Sequence, residues 1–221
     1  MYIDLSWPII ENHWRYPKFH REEISSFERG DMWQITGFNL TSHWFSHIDF
    51  PRHTGAEFPD STAFPLSYFN GEARVVDLVL PHGCADHAYT AEEIEKAVTA
   101  GPQAKILLLR TDWGVQMDWK SKDFWDHAPY ITPEGLSYIA SIHPQTVAFD
   151  FPQDYAIRLL KERKVGPEEQ PSHTILLRNN ILLVEYLTNF DKIGSDRCEF
   201  ICMPLHLEHV DGCPVRAVAK V

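Results

Sequence analysis

The spacing of apolar and polar positions changes period several times along the chain. Tyr2–Ile9 alternates as an opening strand that stops near Pro8. Met32–Leu40 alternates well enough for another strand, and Arg74–Leu80 (RVVDLVL), set between Gly71 and Pro81, for a third. At Thr90–Ala100 the period becomes helical. Thr90 is the N-cap, Glu93 completes a capping box three residues on, and Gly101 stops the helix. Lys105–Leu109 (KILLL) is a short unbroken apolar run, as expected of a buried strand. A second helix is predicted from Thr132, with Pro133 in the first helical position and Leu136, Ile139 and Ala140 on one face. Thr146–Phe149 predicts an inner strand, His173–Asn179 a short helix and Ile181–Leu187 another strand. The end predicts a hairpin, Phe200–Leu207 and Val215–Val221 about a turn near Asp211–Gly212. Thr54–Pro65, dense in breakers, is a surface loop. Strands outnumber helices and several strand–helix–strand passages occur. The pattern predicts one mixed-sheet α/β domain over residues 1–221, with no repeat or linker.

Composition narrows the function classes. Hydrophobic residues make up 44% and charged residues 23%, which excludes a mostly disordered chain. The formal net charge of -11 has the wrong sign for a generic nucleic-acid or anionic-membrane binder, so a small-molecule substrate is expected instead. No apolar run is long enough to cross a bilayer. The first residues, MYIDLSWPII, lack a basic n-region and a small-residue cleavage site. With only four cysteines (84, 198, 202, 213), reduced thiols and a cytoplasmic location are expected.

Histidine, at 12 residues, is the abundant residue with chemistry to offer, so its spacing matters. His43, His47, Asp49 and His53 fall at odd positions within Ser42–His53, as does Pro51. On an extended strand odd positions share a face. A helix would turn Asp49 about 200° away from His47, and Pro51 argues against one. A single His-x-x-x-His pair is more often a solvated polar face than a site. Four such residues in register are a metal set: two imidazoles and a carboxylate suit Zn, Mn or Fe. Three protein ligands leave room for a water, whose pKa beside a metal can fall to ~7. His53, further along, is placed to shuttle protons without ligating. Metal-assisted hydrolysis follows; the substrate does not.

The segment resembles the H-x-G-T-H-x-D-x-P-x-H signature of the cyclase-type metal-dependent hydrolases, which include bacterial kynurenine formamidase (arylformamidase), isatin hydrolase and polyketide-type cyclases. His43, His47, Asp49, Pro51 and His53 match it, and Ser46 replaces Thr. Asp4-Leu5-Ser6, Phe69-Asn70-Gly71 with Val75-Val76-Asp77-Leu78, Leu109–Trp113 and the closing Asp211–Ala219 are similar to later family segments. The resemblance implies a swivelling β/β/α-type fold and a homodimer or homotetramer. It implies that His43, His47 and Asp49 hold one metal and that Asp49 bridges to a second. The further ligands would be His173 and Glu185, which have the family spacing. Zn2+, two per chain, is the implied cofactor, with Mn2+ as the alternative. His53 is implied as the catalytic proton donor and acceptor. Without the resemblance, His173 is unremarkable, whereas Glu185 inside the apolar run LLVEYL already needs a partner.

Three departures concern substrate binding. Phe45 stands in place of the signature Gly and is expected to reshape the substrate space. Gln153, in Asp150-Phe151-Pro152-Gln153, stands where a family Ser is often found. The Trp-Pro-Gly of formamidases is absent, and Trp14 is its nearest equivalent. The expected reaction is hydrolysis of an amide, formamide, lactam or lactone. Alternatives are an arylformamidase specific for N-formylkynurenine, a single-Mn hydrolase of isatin type, and a non-catalytic metal- or ligand-binding module. Elsewhere, Cys198, Cys202, His206 and His209 are spaced too tightly for a usual zinc finger. Cys84 near His82 and His87 lacks an orienting group for nucleophilic catalysis. The aromatic stretch Trp113–Tyr130 is expected to wall the pocket.

Overall fold

The capping box decides where the first long helix begins. In the computed structural model, which describes Met1–Val221, the Thr90 hydroxyl accepts from Glu93 N–H at 3.3 Å and the Glu93 carboxylate accepts from Thr90 N–H at 2.9 Å. Helix α1 (Ala91–Thr99) follows and buries Ile94 and Val98. Two single turns, α2 (Trp113–Gln116) and α3 (Asp123–Asp126), precede α4 (Pro133–Ser141), whose N-cap is Thr132.

Thirteen short strands complete the elements. The first half holds β1 (Tyr2–Asp4), β2 (Arg21–Ser25), β3 (Ile35–Phe38), β4 (His47–Asp49), β5 (Asn70–Asp77), β6 (Ala88–Tyr89) and β7 (Ile106–Arg110). The second holds β8 (Tyr130–Ile131), β9 (Thr146–Phe149), β10 (Leu182–Glu185), β11 (Arg197–Ile201), β12 (Gly212–Pro214) and β13 (Val218–Lys220). Nine of them form one mixed sheet in the order β1-β13-β11-β5-β7-β9-β10-β4-β12. Its centre, β5-β7-β9-β10, is parallel, and both flanks are antiparallel.

The central strands are apolar on both faces, as buried parallel strands must be. Alternation sorts their side chains into two cores. Leu107, Leu109, Val147, Phe149 and Leu183 join the cluster on one face, and Ile106, Leu108, Ala148, Leu182 and Val184 the cluster on the other. By the same alternation Glu185 falls on the face of Leu183.

The C-terminal hairpin is replaced by a crossing. β11 pairs with β13, while β12 leaves to pair with β4 at the far end of the strand order. Val218 is only four positions along the chain from Pro214, a reach of at most ~14 Å. The sheet is therefore curled so that its edges approach, and Asp211 and Gly212 are delivered beside β4. The predicted opening strand is shorter than expected, with Ser6 beyond it bridging to Leu187. The metal-finger spacing near the C-terminus is not a site. Cys198 and Cys202 are buried in a core, and His209 is exposed and pairs with Asp60.

Candidate metal centre

Register places the first ligand candidates. β10 runs antiparallel to β4, with Glu185 opposite His47 and Leu183 opposite Asp49. His47 and Asp49, two residues apart, share a face. They lie alongside β10, on the side of the sheet where parallel pairing with β9 gives way to antiparallel pairing with β4. The expected extended strand across Ser42–His53 is corrected: only His47–Asp49 is strand. Phe45 is left-handed (φ 55°), which turns the chain before His47, and Pro51 opens a 3-10 turn that carries His53. Tertiary folding, and not shared parity, brings His43 and His53 in, with ring centroids 3.8 Å apart.

Asp49 is the hub. Its Oδ1 lies 2.6 Å from His43 Nδ1 and 3.1 Å from His47 Nε2, and its Oδ2 lies 3.5 Å from His173 Nε2. Glu185 closes the floor, with its two oxygens 3.6 Å from His47 Nε2 and 3.5 Å from His173 Nε2. His173 sits on a π-type helical turn (Ser172–Leu176), a deformation frequent at functional sites. Asp49, Glu185, His47 and His173 are all buried. The cavity above them encloses about 270 Å³.

The second nitrogen of each inner imidazole is already engaged. His47 Nδ1 donates to Phe45 O at 2.7 Å, and His173 Nδ1 faces Asp154 Oδ2 at 3.0 Å. Both Nε2 atoms are thereby left to present lone pairs to the centre. His43 Nε2 lies 3.0 Å from Asp211 Oδ2, which leaves Nδ1 facing Asp49. A Cβ on Gly212 would come within 2.5 Å of the His43 ring, so only glycine lets the ring stand there.

Electrostatics shows what the set lacks. Burial favours a neutral Asp49, yet His43 and His47 hold its carboxyl well below the usual range. Burial likewise disfavours the His43 imidazolium, but Asp49 and Asp211 outweigh it and push His43 up to about 10. Burial, then Asp49, raises Glu185. Burial, then the His43 and His173 rings, depresses His53 to about 4 against the pull of Asp49, so its ring is neutral near pH 7. Asp49 Oδ2 is buried with no hydrogen-bond partner. Buried carboxylates, engaged imidazoles and an orphaned oxygen fit a divalent cation with N/O ligands.

His43, His47, Asp49, His53, His173 and Glu185 therefore converge. The three residues expected to bind substrate do not line the cavity. Phe45 is fully buried and its ring packs 4.6 Å from Tyr16; the turn explains why glycine suits this position. Trp14 packs on Trp125 at 6.4 Å, and its neighbours Arg15 and Tyr16 reach the cavity instead. Gln153 is fully buried and donates through Nε2 to Glu185 Oε1 and, at 3.1 Å, to Ser172 Oγ, so it fixes a ligand candidate. The aromatic stretch is also corrected: Trp113, Phe124 and Trp125 are core residues. Cys84 is buried, which pushes its thiol up to about 11 and removes it as a nucleophile. Asp154, Asp211, Arg15, Tyr16 and Tyr186 were missed. Asp211 had a signal in the closing segment, and the others only their places in the chain beside Gln153, Trp14 and Glu185.

Residues 3–153 match the model of the family described as "Putative cyclase". The kynurenine formamidase of Salinibacter ruber is 26% identical over 211 residues, covering 95% of this chain and 88% of that one. The kynurenine formamidase of Bacillus anthracis is 23% identical, covering 99% and 97%. Among solved structures, an isatin hydrolase bound to the product analogue thioisatinate superposes with a TM-score of 0.80 at 21% identity, covering 100% and 92%. A potential metal-dependent hydrolase with cyclase activity superposes at 0.72 with 19% identity, covering 99% and 96%.

Proposed function

This chain belongs to the cyclase family, and from that premise we propose that it is a metal-dependent hydrolase that cleaves the acyl C–N or C–O bond of an amide, formamide, lactam or lactone. The observation that carries this reading is Asp49, buried, with Oδ2 unpartnered and three imidazoles around it. His43, His47 and Asp49 would hold one ion. Asp49, His173 and Glu185 would hold a second. Zn2+ is the proposed metal and Mn2+ the alternative. When bound, such an ion acidifies water and polarises a carbonyl.

The remaining work falls to the chain's own residues. Asp154 and the Phe45 carbonyl keep the His173 and His47 rings in the ligating tautomer. Gln153 holds Glu185 in place. His53 Nδ1 is drawn toward Asp211 Oδ2, 3.6 Å away, which leaves Nε2 to take up the proton of the attacking water and return it to the leaving group. No helix is long and apolar enough to cross a membrane. We also propose a homodimer or homotetramer. The β2–β3 hairpin exposes Phe27, Met32, Trp33 and Phe38, an apolar patch that suits a second copy.

The test is metal quantification on protein loaded with Zn2+ or Mn2+, followed by hydrolysis assays on N-formylkynurenine, a simple aryl formamide, isatin and an aryl lactone. Two equivalents per chain and turnover of at least one compound are expected. One equivalent, without dependence on Glu185, would favour a single-ion enzyme of isatin type. Bound metal with no turnover would make this a binding module.

A further inference from the structure

We propose that the wall beside the metal centre is an anion subsite, in which Arg15 and Tyr16 bind a carboxylate that the substrate carries apart from its scissile carbonyl. This rests on the hydrolase reading and narrows its substrate to carboxylate-bearing amides or formamides.

Arg15 lines the same cavity as His47, Asp49, His173 and Glu185, and it is only 6% exposed. Its surroundings use part of the guanidinium. Nη2 donates to Ile157 O at 3.0 Å, and the plane lies 3.9 Å over the Trp125 ring. Nη1 is buried and has no partner. No carboxylate lies within 4.0 Å of this guanidinium, whereas Arg110, Arg158 and Arg163 each meet one. A buried cation without a counter-charge carries an uncompensated desolvation cost, of which the Trp125 face offsets only a part. The neighbouring Tyr16 Oη is likewise buried and unpartnered. Burial raises its phenol, so it remains a donor. At the rim, Lys161 adds a second positive charge on the same cavity.

A chain of net charge -11 has acidic groups to spare, yet none is directed at Arg15. The acidic side chains of the cavity gather around the imidazoles. Two unused donors and a rim ammonium, on residues that line one cavity, are complementary to a carboxylate, which takes the guanidinium fork in paired hydrogen bonds. The Trp125 stack and the Ile157 carbonyl hold that fork in advance of binding.

The test has two arms. In the first, Zn2+-loaded protein hydrolyses N-formylanthranilate and its methyl ester, which differ only in the charge of the pendant group. The wild type is expected to favour the acid by about 10- to 100-fold in kcat/KM, mostly through KM, as a charged hydrogen-bonded pair provides. Arg15→Met keeps an apolar stem on Trp125 and should erase that preference, with the acid losing far more than the ester. Tyr16→Phe should reduce it by a few fold. In the second arm, calorimetry measures benzoate and benzamide binding to the same preparations. Benzoate should weaken about tenfold or more in Arg15→Met, with metal content unchanged. Equal rates for acid and ester in the wild type would overturn the subsite. So would equal losses in the variant, or benzoate affinity that survives Arg15→Met, which would place the anion at the metal. If neither formamide nor any compound of the hydrolysis assays above is turned over, the hydrolase reading fails, and the benzoate arm still decides the subsite. The wild-type comparison needs no variant, so a misfolded Arg15→Met leaves the test intact.

Discussion

The floor of the cavity and its mouth are built by opposite rules. On the floor, Asp49, Glu185, His47 and His173 are buried, and the imidazoles, like Glu185, are fixed from behind by a carbonyl, a carboxylate or an amide. At the mouth, His53 and Asp211 are partly exposed, and His53 shares that carboxylate with the ligand candidate His43, whose ring lies 3.8 Å away. A cation needs ligands that cannot wander, and burial with second hydrogen bonds provides this. A proton carrier needs access to solvent and substrate, so its side chain stays at the opening.

Breaking the floor should have the largest effect. Asp49→Asn removes the shared carboxylate from the middle of three imidazoles. Bound Zn2+ or Mn2+, read by elemental analysis, should be lost and hydrolysis should fall to background. Breaking the mouth should separate binding from chemistry. His53→Ala should lower kcat by about 10²- to 10⁴-fold while metal content holds; near-normal turnover on a true substrate would end the shuttle role. A smaller effect is expected behind the floor. Asp154→Asn, by loosening His173, should weaken metal affinity about 10- to 100-fold, as measured by competition with a chelator.

The mildest effect concerns stability, away from the metal. Asp150 ties the end of β9 to that of β7, accepting from Thr111 N–H at 2.9 Å and Asp112 N–H at 2.9 Å. Burial pushes its carboxyl up to about 7, against the opposing pull of these donors. In the unfolded chain it titrates near ~4. Between those values the folded state binds the extra proton, so this contribution falls as pH rises from about 4 to 7 and is level above. Denaturant titrations of the wild type and Asp150→Asn at pH 4.5 and 7.5 should show the gap between them moving against the wild type at the higher pH. A gap independent of pH would mean that Asp150 is ionised throughout.

Local interactions were legible in the sequence. The Thr90–Glu93 box, Pro133 at the start of α4 and the apolar runs of β7 and β9 act within a few residues of themselves, so their elements formed where expected. His47 and Asp49 were paired by strand alternation, which held over the three residues that are strand. The same alternation failed at His43 and His53. A left-handed Phe45 and the turn at Pro51 had already broken the strand. Phe45 misled because a large side chain beside a site suggests a pocket wall, whereas its backbone is what serves: the turn aims its carbonyl at His47 Nδ1. Gln153 misled for the converse reason. Its amide had a buried carboxylate to hold, and nothing near it in the chain shows that carboxylate.

By itself, then, the sequence determined the central strands and helices, the metal-binding character of the chain and most of the residues that could ligate. Those follow from propensity, capping and side-chain chemistry, which act at short range, except that His173 and Glu185 were singled out as ligands by the family resemblance. The tertiary structure alone decided that Asp211 and Gly212 cross a curled sheet to meet His43, that Asp154 and Gln153 stand behind the ligand candidates, and that Arg15 and Tyr16 take the wall expected of Trp14. Each of these depends on which surfaces meet when distant segments pack, and that is set by the burial of two whole cores.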